Sequence, residues 1–261
     1  MTGVSNGTSG AVLEARGISR YYGSVAALQE VDLQVSAGEV VGLVGDNGAG
    51  KSTLLKILCG ALRPTSGQIF VDGEEAHFQS PRESREKGIE VVYQDLALAT
   101  ELSVTENIFL GRERRRAGAL RPLRVLDRPT MAVEAKDTLD SLGIKIDDVS
   151  VRCGLLSGGQ RQAVAVARAV RWGSRLLLLD EPTAALAVME QRKIGGLISE
   201  VAKHNVGVIL VSHNIRQVHE LCDRVVVLLH GRMAANLWKA DITVGDIVMW
   251  ITGAAAELSS E

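Results

Sequence analysis

The stretch from residue 45 to 52, Gly-Asp-Asn-Gly-Ala-Gly-Lys-Ser, constrains the fold of this chain more than any other. It matches G-x-x-x-x-G-K-[ST], the phosphate-binding loop (P-loop) pattern, whose glycines let successive backbone N–H groups point at one centre. The apolar run 40–44 before it is typical of a buried parallel strand, and residues 52–59 after it are typical of a helix. Because a helix N-terminus favours anions, the loop predicts a nucleotide site in an α/β core.

The residues of this loop have predicted roles in binding a nucleoside triphosphate. Lys51 supplies a positive charge for the β- and γ-phosphates, and the Ser52 hydroxyl is placed to hold Mg2+. The alternative is a glycine-rich turn without a ligand, which the match at every fixed position disfavours. The predicted nucleotide-binding set in this stretch is Gly45, Asp46, Asn47, Gly48, Ala49, Gly50, Lys51, Ser52 and Thr53.

The rest of the chain alternates between strand-like and helix-like stretches. Residues 12–35 contain short β-type runs around a turn at Tyr21-Tyr22-Gly23. Residues 96–156 are rich in Leu, Ala, Glu and Arg with helical spacing, which predicts an inserted α-helical lobe. Continuous apolar runs, typical of strands buried on both faces, lie at 176–179 and 206–211, and the strand-like stretches 225–229 and 233–238 are predicted to close the sheet.

Length and composition limit the class of protein. A chain of 261 residues can bury one full core, and we predict a single domain over 12–253 with a disordered tail at 1–11 and a frayed tail at 254–261. The formal net charge of -2 and the aromatic content of 3% argue against a nucleic-acid binder. Three distant cysteines without a C-x-x-C pair indicate reduced, buried thiols. No run approaches 18 apolar residues, so no membrane span is predicted.

Two carboxylates directly follow the buried run 176–179. Asp180 lies at the carboxyl end of a predicted strand, where open α/β sheets bind nucleotides, and we interpret it as a partner of Mg2+. Glu181 points elsewhere and is suited to polarise an attacking water. The alternative is an ordinary turn before Pro182, which the upstream P-loop disfavours.

A second glycine pair lies in the motif Leu-Ser-Gly-Gly-Gln at 156–160 and opens a predicted helix over 161–170. It is another helix N-terminus suited to an anion, with Ser157 as an added donor. The chain thus has one P-loop but two predicted phosphate sites. A head-to-tail dimer explains both, because this motif then faces the γ-phosphate held by the other protomer. The predicted contacts are Ser157, Gly158, Gly159 and Gln160.

The P-loop, the Leu-Ser-Gly-Gly-Gln signature and Leu-Leu-Asp-Glu-Pro occur in this order in one domain. Over about residues 12–253 the chain thereby resembles the nucleotide-binding domain of an ATP-binding cassette (ABC) transporter. The resemblance implies ATP and Mg2+ as cofactors. It also implies an α/β fold with a P-loop NTPase core, a mostly parallel sheet, an N-terminal antiparallel β subdomain and the inserted helical lobe.

The same resemblance implies roles for three further residues. Tyr22 matches the aromatic residue that stacks on adenine, although the adjacent Tyr21 can exchange roles with it. Gln94 matches the loop glutamine that touches Mg2+ and the attacking water while facing the permease. His213 matches the switch histidine that contacts the γ-phosphate; the alternative is a strand-end histidine without a ligand. The predicted catalytic residues are therefore Lys51, Gln94, Glu181 and His213, and the predicted Mg2+ ligands are Ser52, Gln94 and Asp180.

Four segments resemble more narrowly the ATPases of bacterial monosaccharide importers; they are 80–82, 88–89, 93–98 and 105–111. This implies a homodimer of single cassettes that powers import at the cytoplasmic face of the cell membrane. The implied partners are transmembrane permease subunits and, indirectly, an extracytoplasmic sugar-binding protein, with no nucleic acid. Two alternatives are a soluble ABC ATPase working on nucleic acid or the ribosome, and a weakly hydrolysing regulatory subunit.

Three features depart from the pattern or have no role in it. Ala187 stands where the family usually has an aspartate that crosses the dimer interface. Its absence predicts that the two ATP sites are coupled more weakly or through other contacts. Gly195-Gly196 lies within a predicted helix, where each glycine costs about 0.8–1 kcal/mol relative to alanine. An arginine-rich stretch at 112–128 indicates either local ion pairs or contact with an anionic lipid or acidic partner.

Overall fold

The computed structural model describes residues 10–116 and 125–255, which form two sheets and eight α-helices. The strands are β1 (Ala11–Tyr22), β2 (Val25–Ser36), β3 (Val40–Val44), β4 (Ser66–Val71), β5 (Glu74–Ala76), β6 (Ile89–Val92), β7 (Leu176–Asp180), β8 (Gly207–Val211), β9 (Arg224–Leu229) and β10 (Arg232–Trp238). The helices are α1 (Lys51–Leu58), α2 (Pro81–Glu86), α3 (Val104–Phe109), α4 (Arg128–Ser141), α5 (Gly158–Val170), α6 (Val188–Lys203), α7 (Ile215–Leu221) and α8 (Val244–Thr252).

The larger sheet has six strands in the order β10-β9-β3-β8-β7-β6. All neighbouring pairs are parallel except β10 with β9, which is antiparallel at the edge. The register pairs Val92 with Leu179 and Asp180 with Val211. The carboxyl ends of β3, β6, β7 and β8 therefore meet at one edge, where open α/β sheets bind nucleotides.

The smaller sheet has the order β2-β1-β4-β5 and is antiparallel throughout, as the fold class predicts. β1 and β2 are each 12 residues long, whereas the sequence indicated short runs. Their pairing contains four register shifts, and each shift changes which face the following residues occupy. The alternation of apolar and polar residues is thus interrupted although the strands continue.

Two hydrophobic clusters lie on opposite faces of the six-stranded sheet. One contains residues of α3 to α8, and the other contains residues of α1 and the antiparallel sheet. Because successive side chains of a strand point to opposite faces, Val40 and Val44 of β3 belong to the first cluster and Val41 and Leu43 to the second. The strand that leads into the P-loop is therefore packed from both sides.

The stretch 96–156 contains α3, α4 and a short 3-10 turn at 153–155, which fits an inserted helical lobe. α3 has only six residues and is stabilised by a capping box between Ser103 and Glu106. The buried Asn107 side chain donates to the carbonyls of Ala99, Leu102 and Ser103, and it accepts from the Ala99 N–H. These bonds fix the loop that enters the lobe.

Three arginines of the arginine-rich stretch make ion pairs with glutamates of neighbouring elements. Arg112 lies 3.2 Å from Glu90, Arg114 lies 2.9 Å from Glu134, and Arg128 lies 3.3 Å from Glu106. Arg121 and Arg124 lie outside the described residues.

The three cysteines are free thiols, and the described chain begins at the end of the predicted N-terminal tail. Cys59, Cys153 and Cys222 are free and buried, as predicted. No helix in the described ranges is long and apolar enough to cross a membrane. β1 begins at Ala11, the last residue of the predicted N-terminal tail, while residues 1–9 and 256–261 lie outside the described part.

Candidate functional site

The P-loop is shaped by backbone that presses on it from two neighbouring segments. A side chain at Gly45 would place its Cβ 2.3 Å from the Leu228 carbonyl oxygen, and one at Gly50 would lie 2.7 Å from the Ala27 carbonyl oxygen. Gly50 also has φ 107°, which side chains rarely adopt. Glycine is therefore required here both by conformation and by close approach.

Lys51 lies inside the curve of this loop. Its side chain is buried, and Nζ donates to the carbonyl oxygens of Gly45 at 2.7 Å and Asp46 at 2.9 Å. Burial lowers the pKa of Lys51, while the carboxylates of Glu181, Asp46 and Asp180 oppose that shift. The ammonium group is thus held against the carbonyl groups at the start of the loop.

Asp180 and Glu181 follow β7 at the same sheet edge as the loop. Burial raises the pKa of both carboxyl groups; Lys51 is the largest opposing charge for Asp180, and His213 is the largest for Glu181. Glu181 has φ 51°, in the left-handed region, and its N–H donates to the Val211 carbonyl at 2.9 Å. This turn separates the directions of two adjacent acidic side chains.

Glu181 offers one carboxylate oxygen for a ligand. Oε2 accepts the backbone N–H of His213 at 3.3 Å. Oε1 is buried and accepts no hydrogen bond from the described residues, although His213 Nε2 lies 3.2 Å away. Because a buried carboxylate oxygen without a donor is costly, this atom is suited to accept a hydrogen bond from a bound water.

His213 and Gln94 lie on loops that follow neighbouring strands. The His213 side chain follows β8 and is 62% exposed beside Glu181, so the structure brings these two residues together. Gln94 is exposed, two positions beyond Val92, whose register partner Leu179 is two positions before Glu181. In the described chain Gln94 makes no hydrogen bond to the other predicted site residues, and its role stays a prediction.

Tyr22 ends β1, in the hairpin whose second strand presses on the P-loop. It is half exposed, and the Arg20 guanidinium lies 4.8 Å from the centre of its ring. Tyr21 has similar exposure, and its N–H donates to Thr65 Oγ1 at 3.2 Å. Both side chains are about half exposed, and one face of the Tyr22 ring is covered by Arg20, so the choice between the two residues stays a prediction.

The signature motif forms the capped start of α5. Ser157 Oγ accepts the Gln160 N–H at 3.2 Å, and Gln160 Oε1 accepts the Ser157 N–H at 3.0 Å. The motif borders a groove of about 800 Å3 between the end of α4, the start of α5 and α6, and no residue of the P-loop lines this groove. One chain therefore presents its P-loop and its signature in separate places.

Sequence reasoning missed three contacts around these motifs. Arg168 donates to the carbonyls of Leu96 and Ala97 at 3.0 and 2.9 Å, which holds the segment after Gln94. Thr183 Oγ1 donates to Gln217 Oε1 at 2.6 Å inside the turn after Glu181. Glu190 Oε1 accepts the Gly159 N–H at 3.4 Å. Only Arg168, the one cation in the otherwise apolar run 163–170, left a signal in the sequence.

Ala187 and the Gly195-Gly196 pair, which depart from the family pattern or have no role in it, lie at the start of α6 and within it. Ala187 is its N-cap residue and provides no side-chain cap. A side chain at Gly195 would place its Cβ 3.1 Å from Leu221 of α7, so this glycine permits close packing of the two helices. A Cβ at Gly196 would meet nothing within 4 Å, and Gly196 lines the groove beside the signature.

The predicted Mg2+ ligands fit a metal held mainly by its nucleotide. Among the described residues, no group of three or more His, Cys, Asp and Glu side chains could hold a metal ion. Ser52 and Asp180 provide one hydroxyl and one carboxylate near the P-loop, and Mg2+ in such sites takes few protein ligands besides phosphate. The donor set is hard oxygen chemistry, which suits this ion.

Sequence comparisons place the chain among known ATP-binding proteins. A family profile described as "ABC transporter" matches residues 28–184. A fructose import ATP-binding protein of Rhizobium meliloti is 43% identical, with 93% of this chain and 94% of the relative covered. A xylose/arabinose import ATP-binding protein of Sulfolobus acidocaldarius is also 43% identical, with 94% and 95% covered. A ribose import ATP-binding protein of Escherichia coli O157:H7 is 40% identical over 93% of this chain, but only 46% of that relative is covered.

Solved structures agree with the fold class. The cassette cbiO1 of Clostridium perfringens, part of the transporter complex cbiONQ, has a TM-score of 0.76 at 26% identity, with 94% of this chain and 95% of that chain covered. A dimeric cassette in a post-hydrolysis state with ADP and Pi has a TM-score of 0.71 at 25% identity, with 87% and 98% covered. The predicted α/β architecture is thereby confirmed.

Proposed function

The chain belongs to the ABC transporter family, and on this premise we propose that it is the ATP-binding and ATP-hydrolysing subunit of a monosaccharide importer. The observation that carries the proposal is near full-length similarity, at 43% identity, to two ATP-binding proteins named for the import of fructose and of xylose or arabinose. A third relative is named for ribose import. All four sugars are monosaccharides, so the proposed cargo is a pentose or a hexose.

Two copies of the chain complete each ATP site in this proposal. The P-loop and the signature lie apart in one chain, and the groove beside the signature contains no P-loop residue. A head-to-tail homodimer brings the signature of one copy to the γ-phosphate held by the other. A cassette of similar fold that is dimeric with ADP and Pi supports this arrangement.

The P-loop half of the site binds the triphosphate. The loop N–H groups and the Lys51 ammonium, held at 2.7 Å from the Gly45 carbonyl, contact the β- and γ-phosphates. Ser52, Asp180 and Gln94 are the proposed holders of Mg2+, which when bound neutralises charge on the phosphate oxygens. Tyr22 or Tyr21 stacks on the adenine ring.

Glu181 acts on the attacking water. Its buried Oε1 accepts a proton of that water, while Oε2 stays bonded to the His213 N–H at 3.3 Å. Burial raises the pKa of Glu181, which makes the carboxylate a stronger base than an exposed one. In this proposal the exposed His213 ring, which lies beside Glu181, contacts the γ-phosphate and orients the same water.

The lobe transmits the closure of the dimer to a permease. A second groove, of about 390 Å3, contains Tyr93, which precedes Gln94, and the exposed Leu110 of the lobe. Arg168 lines it and also holds the carbonyls of Leu96 and Ala97. We propose this groove as the permease contact, which places the chain at the cytoplasmic face of the membrane as a peripheral subunit.

The decisive test is co-purification with a permease followed by reconstituted transport over a panel of pentoses and hexoses. We expect ATPase activity to depend on the permease and uptake of one or a few monosaccharides to depend on ATP. ATPase activity stimulated by nucleic acid or ribosomes, without permease association, would instead support the soluble alternative.

A further inference from the structure

Three backbone donors of the signature motif are bonded within their own chain. The N–H groups of Ser157 and Gln160 are satisfied by each other's side chains, both of them neutral. The Gly159 N–H donates to Glu190 Oε1 at 3.4 Å. Glu190 is therefore the charged group among the acceptors of these three donors.

Glu190 is directed at the signature by its position in α6. It is the third residue of this helix, where an acidic side chain normally reaches back to the N-cap residue in a capping box. The N-cap here is Ala187, which has no side-chain oxygen for the reciprocal bond, and Glu190 accepts from the Gly159 N–H rather than from the Ala187 N–H. The Glu190 side chain instead lies along Gly159, where an added Cβ would be 3.2 Å from its Cβ, Cγ and Cδ atoms.

We propose that Glu190 is a positioning residue of the signature that sets the MgATP concentration at which the dimer closes. In the separate chain its carboxylate holds the Gly159 N–H, and on closure it gives this donor up to the γ-phosphate bound by the second copy. This inference rests on the head-to-tail dimer of the proposed function. The proposal concerns the MgATP concentration needed for the dimer to close, and not the rate of ATP hydrolysis.

The physical basis is competition between two anions for one donor. A carboxylate next to the approaching phosphate repels it, and the Gly159 N–H has to leave its contact of 3.4 Å with that carboxylate before it can bind the phosphate. Lys193 is three residues further along α6 and lines the same groove as Glu190. Its ammonium group offers the displaced carboxylate a partner on the same helix face.

The test measures dimerisation against MgATP concentration in a chain that binds ATP without turning it over. In a Glu181→Gln parent, adding Glu190→Gln keeps the shape of the side chain and removes its charge. We expect the midpoint for dimerisation, measured by analytical ultracentrifugation, to fall by about threefold to tenfold. In the active chain, Glu190→Gln is expected to lower KM for ATP by a similar factor while kcat changes less than about twofold.

The matched control is Glu200→Gln, which removes the same charge ten residues further along α6, where Glu200 pairs with Lys203 at 3.0 Å. Its midpoint is expected to equal that of the parent. An unchanged or higher midpoint for Glu190→Gln, in a parent that does dimerise, overturns the role of Glu190 and leaves the dimer intact. A parent that stays monomeric at saturating MgATP overturns the proposed dimer itself.

Discussion

The two proposed half-sites for a triphosphate differ in how the rest of the chain holds them. The P-loop is fixed by backbone carbonyls against Gly45 and Gly50, and its lysine is only 7% exposed. The signature lies at the exposed start of α5, where Gln160 and Glu190 side chains satisfy its donors. The first half-site is therefore formed by the fold itself. The second is held by side-chain contacts that a partner can replace.

The largest expected effect tests whether Glu181, next to the rigid P-loop half-site, is the carboxylate that acts on the attacking water. Glu181→Gln removes the proposed base next to the P-loop, and ATP turnover should fall by about 10²- to 10⁴-fold. ATP binding should persist because the loop and Lys51 are untouched. Steady-state phosphate release and equilibrium nucleotide binding measure the two quantities.

The control for that prediction is Glu101→Gln, an equally conservative change at a carboxylate whose side chain is 84% exposed. It should leave turnover unchanged. Turnover above about a tenth of normal in Glu181→Gln would remove Glu181 from its proposed role.

The second prediction compares one substitution in both half-sites. Gly50→Ala places a Cβ 2.7 Å from the Ala27 carbonyl at φ 107°, and should reduce the free energy of unfolding by more than about 2 kcal/mol. Gly159→Ala meets only the flexible Glu190 side chain, at 3.2 Å, and should change the free energy of unfolding by less than about 1 kcal/mol. Urea denaturation of the nucleotide-free chain measures both.

Gly159→Ala is nevertheless expected to weaken MgATP-dependent dimerisation, since the added methyl group lies beside the N–H that we propose as a phosphate donor. Equal losses of stability at the two glycines would contradict the contrast between a rigid and a replaceable half-site.

A smaller effect concerns the start of α6, next to the signature. Ala187→Asp supplies the side-chain cap that this helix lacks, and it should raise the free energy of unfolding by about 0.5–2 kcal/mol. Thermal unfolding measures the gain, and Ala187→Asn provides a cap without the charge. No gain from either variant would show that the helix start is already stabilised by other contacts.

The smallest expected effect is the pH dependence of stability at Glu181. Burial raises its pKa above the ordinary 4.5, so the ionised form disfavours folding. The stability from this carboxyl group is fully present below pH 4.5 and is lost as pH rises through the raised pKa. Nucleotide-free Glu181→Gln should therefore unfold at a higher temperature than the original chain at pH 7.5, with a smaller difference at lower pH. A difference that grows on acidification would contradict the sign of the shift.

The elements that carry the rigid half-site were predictable from sequence because they rest on local patterns. The P-loop follows from a motif with fixed glycines, and Asp180 follows from an uninterrupted buried run at 176–179. The strands β3, β7, β8 and β9 were placed to within one residue for the same reason.

What the sequence could not predict depends on contacts between distant segments. The register shifts between β1 and β2 interrupt the alternation of apolar and polar residues, so two 12-residue strands look like short runs in the sequence. The left-handed turn at Glu181 and the contact of Glu190 with Gly159 have no local signature. Gly195 lowers the helix propensity of α6, and the close approach of Leu221 that requires a glycine there has no signal in the sequence.

The double packing of β3 has a consequence for variants far from the nucleotide. Val40 and Val41 are adjacent in sequence but belong to separate hydrophobic clusters, one shared with the helices and one with the antiparallel sheet. A cavity made in either cluster loosens the same short strand, and the P-loop continues directly from its end. Heat-sensitive mutants with lesions in either layer should therefore lose nucleotide affinity together with stability, and they would resemble active-site mutants in a screen for transport.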